Sequence, residues 1–181
     1  MERLETKRVV LREWTLEDAE DLFSYAKSEV VGPMAGWKPH ESVEESRDII
    51  KMFQKQGETW ALYLKEEGRV VGSVGLHNEG REDTRMLGYV LGEAYWGRGI
   101  TLEASVAVLT YAFESLHLDK VTVYHFPFNQ QSKRVIEKLG FTYDGLKEMG
   151  SRIFDGTVYD DVCYSMTKDD FEALYRKERD V

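Results

Sequence analysis

The chain has 181 residues, of which 42% are hydrophobic and 31% charged, and it contains one cysteine. We expect one folded domain over 1–181 with a structured core at about 6–168. The net charge of −9 argues against a nucleic-acid-binding protein. Cys163 alone excludes an internal disulfide, and the sequence has no apolar signal segment or membrane-length apolar run, so we expect a cytoplasmic protein with no membrane partner.

In chain order, hydrophobic periodicity predicts a strand, two helices separated by a loop, three strands, a helix, a strand, a helix, a hairpin and a final helix. The ranges are, in that order, 6–14, 15–28, 29–41 (the loop), 42–56, 59–66, 69–78, 84–92, 101–117, 120–126, 130–140, two strands flanking 155–156, and 168–179. Thr15, Ser42 and Asn129 are typical N-cap residues, and Gly140 fits a left-handed helix end.

This order of elements predicts a mixed α+β sheet of about seven strands. The strands at 59–66, 69–78 and 84–92 follow one another directly and should form an antiparallel meander. The helix at 101–117 connects the fourth and fifth strands, 84–92 and 120–126, which makes them parallel neighbours. We therefore expect a mostly antiparallel sheet with one parallel pair and with helices on both faces.

The segment GEAYWGRGI, residues 92–100, lies between a predicted strand and a predicted helix. Free amides at a helix start attract anions, and glycine allows close approach to the backbone, so this turn is a candidate phosphate site. A G-x-G-x-x-G fingerprint fails because Leu102 occupies the third glycine position. A P-loop fails because Arg98-Gly99 replaces its Lys-Ser/Thr. Two interpretations stay open: a pyrophosphate held by backbone amides, and a turn that only redirects the chain.

A second motif, NQQSKRVIEKLGF, occupies residues 129–141. Together with WGRGI at 96–100, it resembles the GCN5-related N-acetyltransferases (GNAT), and among them the ribosomal-protein-serine/alanine N-terminal acetyltransferases. The similarity extends from the first predicted strand to the last. It implies a GNAT fold, in which the two parallel strands splay apart, and direct transfer of an acetyl group from acetyl-CoA to a primary amine in a ternary complex.

The same resemblance implies which residues bind the donor. The diphosphate would lie on the glycine turn beside Arg98, and the pantetheine arm would run along the fourth strand. The residues implied in binding acetyl-CoA are Tyr89, Val90, Leu91, Trp96, Gly97, Arg98, Gly99, Ile100, Thr101, Asn129, Ser132 and Arg134. Simpler roles are open for several of them, since sheet packing could explain Tyr89 and Leu91, and an ordinary N-cap could explain Asn129.

The resemblance gives one residue, Ser132, a catalytic role, which is to protonate the leaving thiolate. Many family members use a tyrosine for this step, at the position where this chain has Ile136. They also often carry a glutamate base where this chain has Met86. The base is therefore left unassigned, with candidates near the ends of two strands: His77, Glu79, Asp160 and Asp161.

The amine acceptor is expected to lie between the loop at 29–41 and the hairpin at 152–159, with Trp37, His77 and Phe154 binding it. The acceptor would be a protein N-terminal α-amine, as in the ribosomal branch, or a small amine such as an amino acid, polyamine or antibiotic. A non-catalytic acyl-CoA-binding module is a third interpretation. No metal is expected because the four histidines are scattered, and the chain is expected to be a monomer or homodimer.

Overall fold

A computed structural model describes residues 1–176. Within them, the strands are Leu4–Glu5 (β1), Val9–Arg12 (β2), Thr59–Leu64 (β3), Arg69–Asn78 (β4), Thr84–Leu91 (β5), Lys120–His125 (β6), Thr142–Arg152 (β7) and Val158–Thr167 (β8). The α-helices are Ala19–Ala26 (α1), Val31–Ala35 (α2), Val43–Gln56 (α3), Ile100–Thr110 (α4), Gln130–Leu139 (α5) and Lys168–Tyr175 (α6). Short 3₁₀ turns occupy Leu16–Asp18 and Glu93–Tyr95, and a π-helical turn at Tyr111–Ser115 extends α4.

The strands form one sheet in the order β1-β2-β3-β4-β5-β6-β8-β7. Every neighbouring pair is antiparallel except β5 and β6, which are parallel. The parallel pairing joins Thr84–Met86 to Lys120–Thr122 and stops there. Over the rest of β5, Leu87–Leu91, the two strands are not paired within the described chain. The predicted fold class is thus confirmed, and the segments predicted to be parallel, 84–92 and 120–126, contain the parallel pair.

Two hydrophobic layers cover the two faces of the sheet, as the alternation of side chains along strands requires. On one face, α4, α5 and α6 bury a layer that includes Leu62, Val74, Leu109 and Leu139. On the other face, α1 and α3 bury a smaller layer around Trp14, Leu22, Ile50 and Val70. We call these the α4/α5 face and the α1/α3 face.

The first predicted strand, 6–14, is wrong in one respect, because the chain turns within it. The amide of Thr6 donates to the carbonyl of Val9 at 3.0 Å, and the amide of Val9 donates to Thr6 Oγ1 at 3.1 Å. This turn separates β1 from β2. The sheet therefore has eight strands and not seven, and the parallel pair is the fifth and sixth strands.

The predicted loop at 29–41 contains a short helix, α2. Pro33 is compatible with it because it occupies the first helical turn, where amides have no acceptor within the helix. Gly36, with φ of 91°, ends the helix in the left-handed conformation. The sequence pattern missed α2 because five residues are too few to establish a period.

Most predicted helix ends are confirmed by their hydrogen bonds. Ser42 Oγ accepts from the amide of Glu45 at 3.1 Å, and Asn129 Oδ1 accepts from the amide of Ser132 at 3.0 Å. Gly140 has φ of 89° at the end of α5. Thr15 precedes a 3₁₀ turn, so α1 begins later than predicted, at Ala19. The last part of the predicted final helix, 177–179, lies outside the described residues. No helix within residues 1–176 has the length and apolar character needed to cross a membrane.

Candidate active site

The turn between β5 and α4 depends on two glycines with left-handed backbone. Gly97 has φ of 74°, and Gly99, the N-cap of α4, has φ of 73°. A Cβ added at Gly97 would meet nothing within 4 Å, so backbone conformation and not crowding requires glycine there. Gly99 has no side chain with which to cap α4. The amides of Ile100, Thr101 and Leu102 therefore have no acceptor within the helix, and the first such bond is from the amide of Glu103 to the carbonyl of Gly99.

Trp96 and Ile100 hold this turn against the body of the protein. The indole Nε1 of Trp96 donates to the carbonyl of Leu91 at 2.8 Å, and its ring contacts both hydrophobic layers. Ile100 is buried in the layer of the α4/α5 face. Because Ile100 is buried, a ligand could meet only its backbone, whereas Trp96 is partly exposed.

Arg98 is exposed, and its guanidinium pairs with Glu66 and lies 5.8 Å from the centre of the Tyr95 ring. The carbonyl of Arg98 accepts from Arg8 Nη1 at 2.8 Å. Arg8 thus brings a second guanidinium to the glycine turn. The sequence pattern gave no signal for it, since Arg8 reaches the turn only through the fold.

Arg8 is held in place by Glu103, in the first turn of α4. The Glu103 carboxylate accepts from Arg8 Nε at 2.6 Å and from the Arg8 amide at 2.9 Å, and also from Thr6 Oγ1 at 2.6 Å. Burial raises the pKa of Glu103, but the hydrogen bonds from Thr6 and Arg8 outweigh burial and hold it below its ordinary value. The carboxylate therefore stays ionised and anchors the turn.

Tyr89 and Ser132 meet on the α4/α5 face, in the part of β5 that is not paired with β6. The Tyr89 hydroxyl lies 2.8 Å from Ser132 Oγ and 3.2 Å from the Ser132 carbonyl oxygen. Burial raises the pKa of Tyr89 well above its ordinary value, and the hydrogen bond with Ser132 offsets only part of this. Asn129 caps the same helix and also directs its Nδ2 to the carbonyl of Met34, at 3.4 Å. Arg134 is exposed on α5, further along the helix.

His77 lies on the opposite, α1/α3 face of the sheet, beside the point where the pairing of β5 with β6 ends. In the register of β4 and β5 it stands across from Met86, and Gly75 stands across from Gly88. A Cβ at Gly75 or Gly88 would lie 2.6 or 3.2 Å from His77 Nε2, so the imidazole rests over two glycines. Its Nδ1 is 3.5 Å from Glu58 Oε2. Val90 faces the same side, and it packs against the layer that α1 and α3 cover.

The other two residues predicted to bind the acceptor lie on segments that approach each other. Trp37 is half-buried, with its ring 5.3 Å from that of His40, and Phe154 is 49% exposed near the tip of the β7–β8 hairpin. A Cβ at Gly36 would lie 3.2 Å from Ile153 Cγ2, so the neighbours of Trp37 and Phe154 are in contact. No hydrogen bond, ion pair or ring contact joins His77 to either residue within the described chain.

An aromatic cluster that the sequence pattern missed lies beside them. The rings of Phe126, Phe128 and Tyr159 pack with centroids 5.0 to 5.8 Å apart. Phe128 is 45% exposed, and a Cβ at Gly36 would lie 3.4 Å from Phe126. The sequence signal for this cluster was HFPFN, residues 125–129, where β6 ends. This segment has neither a helical nor a strand period.

The other candidate bases are already hydrogen-bonded. Glu79 accepts from Thr122 Oγ1 at 3.1 Å, Asp160 accepts from the Met149 amide at 2.8 Å, and the buried Asp161 accepts from Ser151 Oγ at 2.6 Å. Across residues 1–176 there is no group of three or more histidine, cysteine or acidic side chains placed to hold a metal ion.

Comparison with known proteins finds one matching family model, the acetyltransferase (GNAT) domain, over residues 8–142. The chain is 29% identical to the uncharacterised N-acetyltransferase YoaA of Bacillus subtilis (strain 168), over 91% of this chain and 96% of that one. It is 32% identical to the uncharacterised N-acetyltransferase p20 of Bacillus licheniformis, over 81% and 85%. It is 27% identical to the [ribosomal protein uS5]-alanine N-acetyltransferase of Escherichia coli (strain K12), over 68% and 65%.

Solved structures share the fold along nearly the whole chain. The GNAT-family acetyltransferase from Bacillus anthracis superposes with a TM-score of 0.84 at 22% identity, covering 93% of this chain and 99% of that one. The microcin C7 self-immunity acetyltransferase MccE, in complex with acetyl-CoA and AMP, superposes with a TM-score of 0.77 at 20% identity, covering 90% and 93%.

Proposed function

Since the chain belongs to the acetyltransferase (GNAT) domain family of N-acetyltransferases, we propose that it transfers the acetyl group of acetyl-CoA to a primary amine, in particular the α-amine of a protein N-terminus. One observation carries the proposal. The glycine turn at the start of α4 and the Ser132 hydroxyl flank the part of β5 that is not paired with β6. An extended thioester with a diphosphate at one end matches both features.

The residues present fit coenzyme A. Gly97 leaves open space on the outer side of the turn, and a Cβ at Gly99 would lie 3.5 Å from Arg8 Nη2. The amides of α4 and the guanidiniums of Arg8 and Arg98 offer hydrogen-bond donors and positive charge to phosphates there. The backbone of Leu87–Leu91 on its β6 side is available to the amide groups of a pantetheine arm. Bound there, the donor would supply an activated acetyl carbon.

Ser132 is the proposed acid. It lies in the first turn of α5, where the helix dipole favours negative charge such as that of a leaving thiolate. In the proposed reaction the neutral amine nitrogen forms a bond to the acetyl carbon, the carbon–sulfur bond breaks, and the nitrogen releases one proton to solvent as the amide forms. Ser132 gives its proton to the sulfur and recovers one from solvent.

His77 is the proposed base, since an attacking amine must first lose a proton. The imidazole lies on the α1/α3 face over Gly88, the second residue of β5 beyond its pairing with β6, and 36% of the side chain is exposed. Glu58 near Nδ1 would leave Nε2 to accept a proton. The donor would thus lie toward the α4/α5 face, and the amine would approach from the α1/α3 face.

An N-terminal peptide is the proposed acceptor for two reasons. The chain is similar to an alanine N-acetyltransferase that acts on a ribosomal protein. The aromatic rings of Phe126, Phe128 and Tyr159, with Trp37 and Phe154 beside them, offer apolar contact to the residues that follow a terminal amine.

The test is CoA release by the purified protein with acetyl-CoA and three sets of acceptors. These are peptides with free alanine or serine N-termini, the same peptides with blocked N-termini and an internal lysine, and small amines including amino acids, polyamines and aminoglycosides. We expect turnover with the free N-termini only. Turnover with small amines alone would replace the proposed acceptor, and CoA binding without turnover on any amine would favour a non-catalytic acyl-CoA-binding module.

A further inference from the structure

The hydroxyls of Tyr89 and Ser132 form a contact between two elements, β5 and α5, that are distant in the sequence. The phenol oxygen is 2.8 Å from Ser132 Oγ and 3.2 Å from the Ser132 carbonyl oxygen. The phenol has a single proton to donate, and the serine has one as well. The direction of this hydrogen bond therefore determines where the serine proton can point.

The surroundings favour Tyr89 as the donor. The Ser132 carbonyl lies inside α5, where it already accepts a hydrogen bond from the amide four residues further on. Ser132 Oγ is therefore the better acceptor for the phenol proton. Burial raises the pKa of Tyr89, and Ser132 lowers it by less, so the phenol keeps its proton at neutral pH. A neutral phenol that cannot readily ionise is a permanent donor.

We infer that Tyr89 is a positioning residue for Ser132: its O–H donates to Ser132 Oγ and so directs the serine proton away from Tyr89, toward the sulfur of coenzyme A. This inference rests on the proposed function, in which Ser132 protonates that sulfur. Tyr89 keeps its own proton throughout, and its hydrogen bond stabilises the serine oxygen while the serine proton moves to the sulfur.

A serine that acts as an acid requires a neighbouring group that fixes its orientation. A serine hydroxyl rotates freely and is a weak acid, so it protonates a thiolate well only when its orientation is fixed. The position on α5 that could have supplied a phenol directly is Ile136, which is fully buried in the core. The structure supplies a phenol from the neighbouring strand instead, and that phenol reaches the serine.

The first test is a double-mutant cycle of Tyr89→Phe and Ser132→Ala, measured as kcat and KM on the best acceptor peptide. Tyr89→Phe keeps the ring and should lower kcat by about 3- to 10-fold, the effect of one hydrogen bond, with KM for acetyl-CoA unchanged. In the Ser132→Ala background the same change should have no further effect. Independent, multiplicative losses would overturn the inference.

Tyr175→Phe is the matched control. The Tyr175 hydroxyl donates to the carbonyl of Leu139 at 2.7 Å, so it also bonds to α5 from another element, but at the opposite end of the helix. Both variants lose one phenol–helix hydrogen bond, and their melting temperatures should fall by similar amounts. Only Tyr89→Phe should lower kcat; an equal loss of kcat in Tyr175→Phe would mean that general loosening of α5 explains the effect.

The second test does not need an acceptor. Coenzyme A is bound to each variant, and ionisation of its thiol is followed by the ultraviolet absorbance of the thiolate, with the protein bound to the dethio analogue as the blank. We expect Ser132→Ala and Tyr89→Phe each to raise the pKa of the bound thiol, and the double variant to equal Ser132→Ala. If only Ser132→Ala raised it, the positioning role of Tyr89 would be refuted while the role of Ser132 stood.

The two tests separate the failure of this inference from the failure of the proposed function. A protein that binds CoA and acetylates no amine would contradict the proposed function, and the thiol titration would still decide the role of Tyr89. A protein that does not bind CoA would overturn both.

Discussion

Arg8 and Glu103 are ninety-five residues apart in the sequence and form an ion pair with 2.6 Å between Nε and Oε2. The same guanidinium donates to the carbonyl of Arg98, which lies between the two glycines of the turn. The pair therefore connects the entrance of β2 to the start of α4. Loss of this ion pair should therefore first alter the conformation of the glycine turn.

Glu103→Gln should reduce stability in a pH-dependent way. The folded-state pKa of Glu103 is lowered, because hydrogen bonds from Thr6 and Arg8 outweigh burial. Its contribution is therefore present above the unfolded pKa of about 4.3 and is lost as pH falls through the folded value. We expect a loss of about 1 kcal/mol in the free energy of unfolding at pH 7, since the pair is partly exposed.

The measurement is the difference in melting temperature between wild type and variant from pH 7 to pH 3, which should shrink toward acid. Glu44→Gln is the control, because Glu44 is largely exposed and its ion pair with Arg47 is long, at 3.7 Å. It should have little effect at any pH. If the difference in melting temperature between wild type and Glu103→Gln stayed constant down to pH 3, the lowered pKa of Glu103 would be contradicted.

Gly99→Val should weaken CoA binding by more than about tenfold, because a β-branched residue resists the left-handed backbone and would alter the amides at the α4 start. Gly57→Val is the matched control: Gly57 has φ of 66° at the end of α3, and a Cβ there meets nothing within 4 Å. Both should lose about 1–3 kcal/mol of stability. Calorimetry with CoA distinguishes them, and unchanged affinity in Gly99→Val would exclude the turn as the diphosphate site.

His77→Gln should lower kcat by about 100-fold or more if His77 is the base, and it should leave CoA affinity unchanged. Glu58→Gln should have a smaller effect of about tenfold, since Glu58 acts by orienting the imidazole. His117→Gln serves as the control, because His117 lines a separate cavity with Phe113 and Phe171. Wild-type kcat in His77→Gln would exclude His77 as the base and leave Asp161 and Glu79 as candidates.

Phe154→Ala should raise KM for an N-terminal peptide by about fivefold, the effect of losing part of a phenylalanine contact, and leave KM for acetyl-CoA unchanged. Leu146→Ala on the same hairpin is the control, because Leu146 is exposed to a similar extent, 50%, and lies in the body of β7. Steady-state kinetics with each substrate varied in turn would measure both. Equal KM changes in the two variants would argue against a specific contact at Phe154.

The features that could be predicted from the sequence are those set by neighbouring residues. The cap of α5 by Asn129, the cap of α3 by Ser42 and the left-handed Gly140 each depend on residues within one helical turn, and all three are present. The parallel pair followed from the helix between its strands, which is again a matter of chain order.

The features that could not be predicted depend on residues that only the fold brings together. Arg8 reaches the glycine turn because β2 lies beside α4, and nothing near position 8 indicates this. Tyr89 was predicted to bind the donor, with sheet packing as the alternative, and its contact with Ser132, on a helix 43 residues away, was not foreseen. The split of the first strand depends on one hydroxyl, that of Thr6, which bonds to a nearby amide instead of facing solvent.

The early end of the parallel pairing gives this sheet an edge in its interior. Unpaired strand edges at the border of a sheet invite strands from other proteins and so promote aggregation. Here the unpaired edge lies inside the sheet, and the side chains of Leu87, Val90 and Leu91 on its two faces belong to the two hydrophobic layers. Within residues 1–176, the backbone between them therefore lacks a β6 partner without being at the border of the sheet. A ligand with amide groups, such as the proposed pantetheine arm, would use hydrogen-bonding groups that a regular sheet uses between its own strands.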